Sequence, residues 1–282
     1  MRKNCFLFER MNYPYLVLIL FCTLMTGKVY SQNWEAGISV GGSGYTGDLN
    51  PTGYLKHSGM GFGAHVKRNF DGYWALKLAV TGGKIAADDL KSKYEDQKNR
   101  GLNFSSPITE GSLQLEFNFF DFGIDWGQKR VTPFIYSGIS YFGFNPKATY
   151  GGKTYELKIY GTEVDDSQFV AGNNTYKTTA FAVPVGAGVK FRLNNHLNVS
   201  ADFGFRTAFT DYLDDVSMDY PVIDPNKNTF NGTRAALSDP TGYSNSKQTD
   251  VKIQRGDYRP RDTYFFSMIT LSYVFRNKDC PF

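Results

Sequence analysis

Apolar and polar residues alternate one by one in several stretches of this chain. The clearest stretch is 197–206, where every odd-numbered position is apolar and every even-numbered position is polar or glycine. Segments 112–119 and 181–192 repeat the pattern, with small or charged residues at the alternate positions. Successive side chains of a strand point to opposite faces, so each segment predicts a strand with one apolar face. Weaker alternation occurs in 34–41, 60–67, 74–81 and 265–276. Segment 132–144 has aromatic residues on both faces, so its inward face is ambiguous, and it brings the predicted number of strands to eight.

The connections between the predicted strands alternate strictly between long and short. The short ones are 69–72, 122–130 and 194–196, and the long ones are 43–58, 86–107, 145–178 and 209–262. An even number of strands with this alternation is typical of a transmembrane β-barrel. We therefore predict an all-β fold: an eight-stranded antiparallel transmembrane β-barrel with short periplasmic turns and long outer loops. A soluble periplasmic β-sandwich is the alternative, but it predicts no such alternation.

The charged positions of the predicted strands lie on the face opposite the apolar one. In a barrel the apolar face meets lipid, and eight strands leave a lumen just wide enough for side chains to fill. Both signs of charge occur, so we expect ion pairs inside the lumen and no open pore. The residues predicted to point inward are His65, Lys67, Lys77, Glu116, Lys190, Arg192, Asp202 and Arg206.

The N-terminus has the pattern of a secretory signal. Arg2, Lys3 and Arg10 precede an eleven-residue apolar run at 15–25, and small residues at Val29 and Ser31 suit cleavage before Gln32. The run is short for an anchoring helix, which is the alternative. The predicted organisation is a signal peptide at 1–31, a barrel at 32–276 and a C-terminal tail at 277–282, in the outer membrane.

Composition and charge agree with an exported barrel. The 282 residues include 24 Phe, 19 Tyr, 3 Trp and 29 Gly, a mixture that favours strands and tight turns. Residues 1–31 hold four basic residues and one acidic residue, so the net charge of +4 falls to +1 in the mature chain. This near-neutral charge excludes a nucleic-acid partner, which would require a basic face.

Candidate chemistry is sparse in the sequence. Residues 151–154 read Gly-Gly-Lys-Thr, but Lys147 occupies the position where a P-loop needs its first glycine. His57, His65 and His196 fall on a loop, a lumen position and a turn, which is a poor metal set. We predict no catalytic residue, no cofactor and no metal site, and therefore no enzyme. A Ser–His hydrolase inside the barrel stays an alternative, although no feature identifies its serine.

An acidic cluster follows the strand at 197–206. Asp211, Asp214, Asp215 and Asp219 lie within nine residues. Calcium binding is one interpretation, since carboxylates are its usual ligands, but the EF-hand spacing is absent. A turn that caps the barrel, begun by Thr210 and paired with Arg206, is the interpretation we favour. The stretch 224–262 lacks periodicity and predicts a long irregular loop.

Four stretches of the chain resemble a known family. They are Trp34-Glu35 with Tyr45-Thr46-Gly47-Asp48-Leu49-Asn50, then 100–104 with Glu110 and 116–118, then 133–134 with 144–146, and Arg206-Thr207-Ala208-Phe209-Thr210-Asp211-Tyr212-Leu213-Asp214-Asp215-Val216-Ser217. The chain thereby resembles the Bacteroidetes outer-membrane β-barrel family that includes PorG of the type IX secretion system. The likeness spans residues 32–275.

This resemblance implies a non-enzymatic, structural role in type IX protein secretion. The implied partners are outer-membrane lipid and the periplasmic PorK–PorN ring. A small-solute channel or a surface-ligand binder is the alternative. We expect the segments Tyr45–Asn50 and Asp211–Ser217 to pack together over one barrel mouth. The candidate structural or interaction residues are Tyr45, Gly47, Asp48, Asn50, Arg206, Asp211, Tyr212, Asp214 and Asp215.

Overall fold

Eight long strands form a closed barrel in the computed structural model, which describes residues 33–53, 55–123, 128–170, 176–246, 253–257 and 259–275. The barrel strands are β1 (Asn33–Thr46), β2 (His57–Asn69), β3 (Trp74–Asp88), β4 (Asn103–Asn118), β5 (Val131–Phe144), β8 (Thr179–Arg192), β9 (Leu197–Ala208) and β10 (Thr263–Phe275). A hairpin of β6 (Lys147–Tyr150) and β7 (Lys153–Glu156) lies in one long loop. The predicted eight-stranded antiparallel barrel is confirmed, although most strands are longer than predicted.

Closure removes every free edge of the barrel sheet. The order around the barrel is β3-β2-β1-β10-β9-β8-β5-β4, and β4 pairs back with β3. The first and last strands meet antiparallel, with Trp34 opposite Phe275. Every barrel strand therefore has two neighbours for its backbone hydrogen bonds, which a chain in lipid requires.

The two faces of the barrel wall separate as the alternation predicts. Ile38, Leu78 and Ile269 point outward and are 68%, 60% and 62% exposed, an apolar surface suited to lipid. All eight charged residues predicted to face the lumen do so. His65, Lys67, Glu116, Lys190 and Arg206 are buried there, and Lys77, Arg192 and Asp202 are half-buried.

Strand β5 shows which of its two aromatic faces points inward. Phe134, Tyr136 and Phe142 fill the lumen, so large rings occupy space that small and charged residues alone would leave empty. Glycines on the neighbouring strands make room for them. A Cβ atom added at Gly186 or Gly204 would lie 2.4 or 2.1 Å from atoms of the Tyr136 ring and hydroxyl.

Short turns and long loops occupy opposite ends of the barrel. The turns 70–73 and 193–196 are each closed by one side chain: Asp71 Oδ1 accepts from the backbone N of Tyr73 and Trp74, and Asn194 Oδ1 accepts from His196 and Leu197. The described ends of the chain, at β1 and β10, lie on the same side as these turns. The described residues of the long loops 47–56, 89–102, 145–178 and 209–262 cover the other mouth, and we call them the cap.

The cap contains more regular structure than the sequence predicted. It holds a 3₁₀ turn (Asp89–Lys91) and the helices α1 (Glu95–Arg100), α2 (Leu157–Tyr160), α3 (Thr229–Ser238) and α4 (Tyr243–Ser246). The irregular loop predicted at 224–262 is thus wrong over α3, which begins where Asn228 Oδ1 accepts from the backbone N of Asn231. The buried residues of helix α3 are mostly polar and include Asn231, Arg234 and Ser238 beside Leu237, so no apolar period marks this helix in the sequence.

None of the described helices is long and apolar enough to cross a membrane. The predicted signal peptide at 1–31 and the tail at 277–282 lie outside the described residues.

Candidate functional site

The cap and the adjoining half of the lumen share one apolar core. Tyr45, Phe142, Tyr264 and Phe266 point into the loop-side half of the barrel and are fully buried. Residues of the loops pack on them from above and complete the core, namely Leu49, Leu102, Leu157, Leu213, Val216 and Leu237. The cap is therefore anchored to the barrel by apolar burial, which contributes about 1.5–3 kcal/mol for each such side chain.

Tyr45 joins the two segments that the sequence analysis singled out. Its hydroxyl donates to the carboxylate of Asp214 and lies 3.2 Å from Asp262 Oδ1. Asp214 and Asp262 in turn accept from the backbone N of Val216 and Leu213, both at 3.0 Å. The segments Tyr45–Asn50 and Asp211–Ser217 thus lie against each other over the barrel mouth.

The remaining candidates of the first loop shape its turn. The Asn50 amide donates to the Tyr45 carbonyl at 2.7 Å, and the Asn50 backbone N donates to Gly47 O. Gly47 lies so close to Tyr45 that an added Cβ atom would be 2.1 Å from its hydroxyl oxygen. Asp48 Oδ1 accepts from the backbone N of Asp257 at 3.0 Å, which ties this loop to the last one.

Asp215 and Tyr212 fasten the third loop to the fourth. Asp215 adopts a left-handed backbone (φ 60°), and its carboxylate accepts from the hydroxyls of Thr162 and Tyr176. The Tyr176 ring also stacks on Tyr212, with centroids 4.6 Å apart and planes 3° apart. Aspartate tolerates this backbone better than most residues because its short side chain bonds locally.

Asp211 and Arg206 complete the set, and one predicted pairing is wrong. Asp211 Oδ2 accepts from the Ser217 hydroxyl at 2.9 Å, and Thr210 Oγ1 accepts from the backbone N of Tyr212 at the start of the turn. Arg206 does not pair with the acidic cluster, because its side chain points into the lumen and its Nε lies 3.4 Å from Glu110 Oε2. The parity of β9 turns Arg206 away from the loop that follows it.

The buried carboxyl groups of the cap resist ionisation. Burial raises the pKa of Asp214 and of Asp215 to about 7, although hydroxyl donors lower it in part. Burial and the nearby Asp214 carboxylate raise the pKa of Asp48 to about 9. Burial raises the pKa of Asp211 to about 6. Near neutral pH, Asp48 is therefore protonated, and Asp214 and Asp215 are close to the midpoints of their titrations.

Three arginines, which sequence reasoning missed, connect the loops of the cap. Arg100 forms a two-point ion pair with Asp89 (2.7 and 3.0 Å) and donates to the carbonyls of Asp48 and Arg255. Arg255 donates to the Asp215 carbonyl at 2.7 Å and pairs with Glu163. The third, Arg234, pairs with Asp166 and donates to loop carbonyls. In the sequence Arg234 and Arg255 look like ordinary solvated loop residues, and Arg100 belongs to a stretch that carries the family resemblance but had no predicted role.

The turn-side half of the lumen is closed by ion pairs. Glu116 lies 2.6 Å from Lys190 Nζ, 3.5 Å from Lys67 and 3.7 Å from Lys77. Glu35 pairs with Lys67 at 3.0 Å. Between this network and the apolar core lies a cavity of about 20 Å³ beside His65, room for roughly one water molecule.

Catalytic and metal chemistry have few candidates in the described chain. Among the described residues no group of three His, Cys, Asp or Glu side chains converges as metal ligands do. His57 Nε2 lies 2.6 Å from Ser267 Oγ, a pair that the sequence did not suggest. This pair lies on the outward face of the barrel rather than in the lumen, and the His57 ring packs edge-on against Phe265.

A closed antiparallel barrel with an apolar outer surface, short turns at one end and long loops at the other defines the outer-membrane class of β-barrel proteins. Within that class, a family model described as a domain of unknown function (DUF6089) matches residues 14–224. The chain belongs to this family. None of the curated protein sequences matches the chain.

Solved barrels are similar to this chain in fold and only distantly in sequence. OprG from Pseudomonas aeruginosa is 11% identical, with 89% of this chain and 99% of OprG covered and a TM-score of 0.40. Ail of Yersinia pestis, solved with the heparin analogue sucrose octasulfate, is 9% identical, with 87% and 98% covered and a TM-score of 0.38. The neisserial surface protein NspA is 10% identical, with 88% and 100% covered and a TM-score of 0.37.

Proposed function

We propose that this protein is a non-enzymatic, structural component of type IX protein secretion that resembles PorG. In this proposal the protein lies in the outer membrane and contacts the periplasmic ring proteins. The proposal rests on how two of the segments that carry the family resemblance are placed in the structure. Tyr45–Asn50 and Asp211–Ser217 are joined through the Tyr45–Asp214 hydrogen bond and are largely buried. Buried residues of this kind maintain a shape, which suits a scaffold better than an enzyme.

The closed lumen also favours a structural role over transport. Glu116 and its lysine partners fill the turn-side half, and aromatic rings fill the loop-side half. The alternative of a small-solute channel would require a path through these side chains. Steady conductance in planar bilayers would favour that alternative.

Contacts with a periplasmic ring would use the turn end of the barrel. Tyr73 and Leu193 are 42% and 51% exposed there. Three turns offer little area compared with the ~1,200 Å² or more of a stable interface. The proposal therefore requires several copies to bind one ring, so that small contacts are multiplied.

Purification and crosslinking from native outer membranes test the proposal. We expect tagged protein in mild detergent to co-purify with the ring lipoprotein and its ring partner, as identified by mass spectrometry. A photo-crosslinking residue in place of Tyr73 or Leu193 should then link to those same proteins.

Positions on the cap provide the matched control. Tyr94 and Met218 are 50% and 62% exposed at the other end of the barrel, and crosslinkers there should leave the ring proteins unlinked. Recovery of the barrel alone, with no crosslink from either turn, would contradict the secretion role. Links to ring proteins from the cap only would contradict the proposed contact surface.

A further inference from the structure

A cleft of about 230 Å³ lies between the first and second loops of the cap. Its wall includes Ser58, near the start of β2, and Ala86, near the end of β3, and the Ser58 hydroxyl oxygen accepts from the backbone N of Ala86 at 2.9 Å. Ala86 has the outward parity of β3 and follows the exposed Lys84 on the same face. The cleft therefore opens at the loop-side rim, directly above the lipid-facing side of the barrel wall.

The charged residues that line this cleft are mostly lysines. They are Lys56, Lys91 and Lys93 against Asp88. The Asp88 carboxylate already has partners, because one oxygen lies 3.1 Å from Lys91 Nζ and the other accepts from the backbone N of Leu90. Lys56 and Lys93 are exposed and form no ion pair with any described residue. Two positive charges are therefore available to bind an anion.

A second cavity at the same rim, of about 350 Å³, has a different balance of charges. It lies beside β1, β9 and β10, and its two arginines are Arg259 and Arg261. Arg259 already lies 3.3 Å from Asp257. The arginines are outnumbered by carboxyl groups, so this cavity offers an anion no excess of positive charge. The aspartates that line it are Asp48, Asp211, Asp257 and Asp262.

Large apolar side chains accompany the lysines of the cleft. Leu55 and Leu90 each directly precede one of these lysines and are 68% and 65% exposed, and Tyr94 lines the cleft and is 50% exposed. Lysines beside exposed apolar and aromatic residues are typical of segments that lie on a membrane surface, where the ammonium groups stay among the headgroups. The lipid-facing wall continues below, where Met60 of β2 is 63% exposed. The surroundings of the cleft thus suit an amphipathic anion.

We propose that this cleft binds the negatively charged phosphate headgroup of a lipid in the leaflet around the loop-side rim. Lys56 and Lys93 bind the phosphate oxygens, Lys84 adds a third cation from the wall, and the acyl chains lie along the apolar faces of β2 and β3. The cleft is smaller than a typical small-molecule site of about 300–1,000 Å³, which suits a headgroup whose chains stay outside. The inference is independent of the secretion role, because that role concerns the turn end of the barrel.

Native mass spectrometry of the purified protein tests this site. The protein is placed in micelles that contain equal amounts of anionic phosphatidylglycerol and zwitterionic phosphatidylcholine, and we expect the wild type to retain phosphatidylglycerol preferentially. A lysine close to an anionic lipid contributes a factor of about five, so Lys56→Gln/Lys93→Gln should reduce this retention about twentyfold. Arg259→Gln/Arg261→Gln removes the same charge from exposed positions at the second rim cavity and should leave retention unchanged.

Further outcomes separate this site from general attraction and a lipid from a soluble anion. Equal retention of the two lipids by the wild type, or equal losses in the lysine and arginine variants, would overturn the proposal. Leu55→Gln/Leu90→Gln keeps every charge and should still weaken retention, because the acyl chains lose apolar contacts. Displacement of the lipid by an equal concentration of soluble glycerol 1-phosphate would overturn a lipid as the source of the phosphate. All these side chains are exposed, so each variant should unfold at the temperature of the wild type.

Discussion

The two halves of the lumen are filled by opposite means. Near the turns, Glu35 and Glu116 form ion pairs with lysines of β2, β3 and β8. Near the loops, Tyr45, Phe142 and Phe266 form an apolar core that continues into the cap. Both halves are packed, but only the loop-side half shares its core with residues outside the barrel wall.

Closure of the barrel and attachment of the cap therefore depend on different interactions. Ion pairs inside the wall satisfy one another and leave the turn-side half complete by itself. The apolar half exposes its core at the mouth, so it is buried only when the loops fold over it. We infer that the cap depends on the barrel for its core, whereas the ion-pair network does not depend on the cap.

The largest expected effect comes from breaking the ion-pair network. Glu116→Gln leaves Lys67, Lys77 and Lys190 facing one another with their shared partner lost. Removing one partner of a buried ion pair costs about 3–5 kcal/mol. Denaturant unfolding in detergent should show a loss of that size. A smaller loss is expected for Lys77→Gln, because Lys77 is farther from Glu116 and less buried, and equal losses would contradict this account.

A smaller effect is expected at the junction of cap and barrel. Asp214→Ala with Asp215→Ala removes acceptors of Tyr45, Tyr176 and Thr162. Tyr45 keeps Asp262 as an acceptor, and hydroxyls at the mouth can reach water when the cap loosens, so the total loss should be about 1–3 kcal/mol, the cost of one unsatisfied buried hydroxyl. The barrel should unfold at a lower temperature on a heated gel. The matched control is Asp214→Asn with Asp215→Asn, which keeps an acceptor and tolerates the left-handed backbone. An unchanged unfolding temperature in the alanine variant would rule out a structural role for this contact.

The smallest effect is a dependence of cap stability on pH. Burial raises the pKa of Asp214 and Asp215 from 3.8 to about 7, so the folded cap binds more protons than the unfolded one between these values. The contribution of these two groups to cap stability is therefore greatest below about pH 4 and is lost as the pH rises through 7. We expect a protease that is active throughout this range to cleave the loops faster at pH 8 than at pH 5, relative to a peptide substrate.

The asparagine pair again serves as the control for pH. Asp214→Asn with Asp215→Asn has no carboxyl group to ionise at these positions, so its cleavage should vary less between pH 5 and pH 8. If the wild type is cleaved equally at both values, the buried carboxyl groups do not control the cap.

The sequence by itself determined the barrel. Alternation with a period of two defines an inward and an outward face without reference to other strands, so the lumen positions of Lys67, Glu116 and Lys190 followed directly. The alternation of long and short loops then favoured a barrel over a sandwich. The segments Tyr45–Asn50 and Asp211–Ser217 were also identified from sequence, because their residue order is unusual.

Only the tertiary structure decided what those residues contact. Arg206 precedes the acidic cluster in sequence but binds Glu110, because the parity of β9 turns it into the lumen. Arg234 and Arg255 have the sequence surroundings of solvated loop residues, yet both are buried against carbonyls and carboxylates, and the half-buried Arg100 binds carbonyls of two other loops. Local patterns encode which way a side chain points, whereas long-range partners depend on closure of the whole chain, which no local pattern contains.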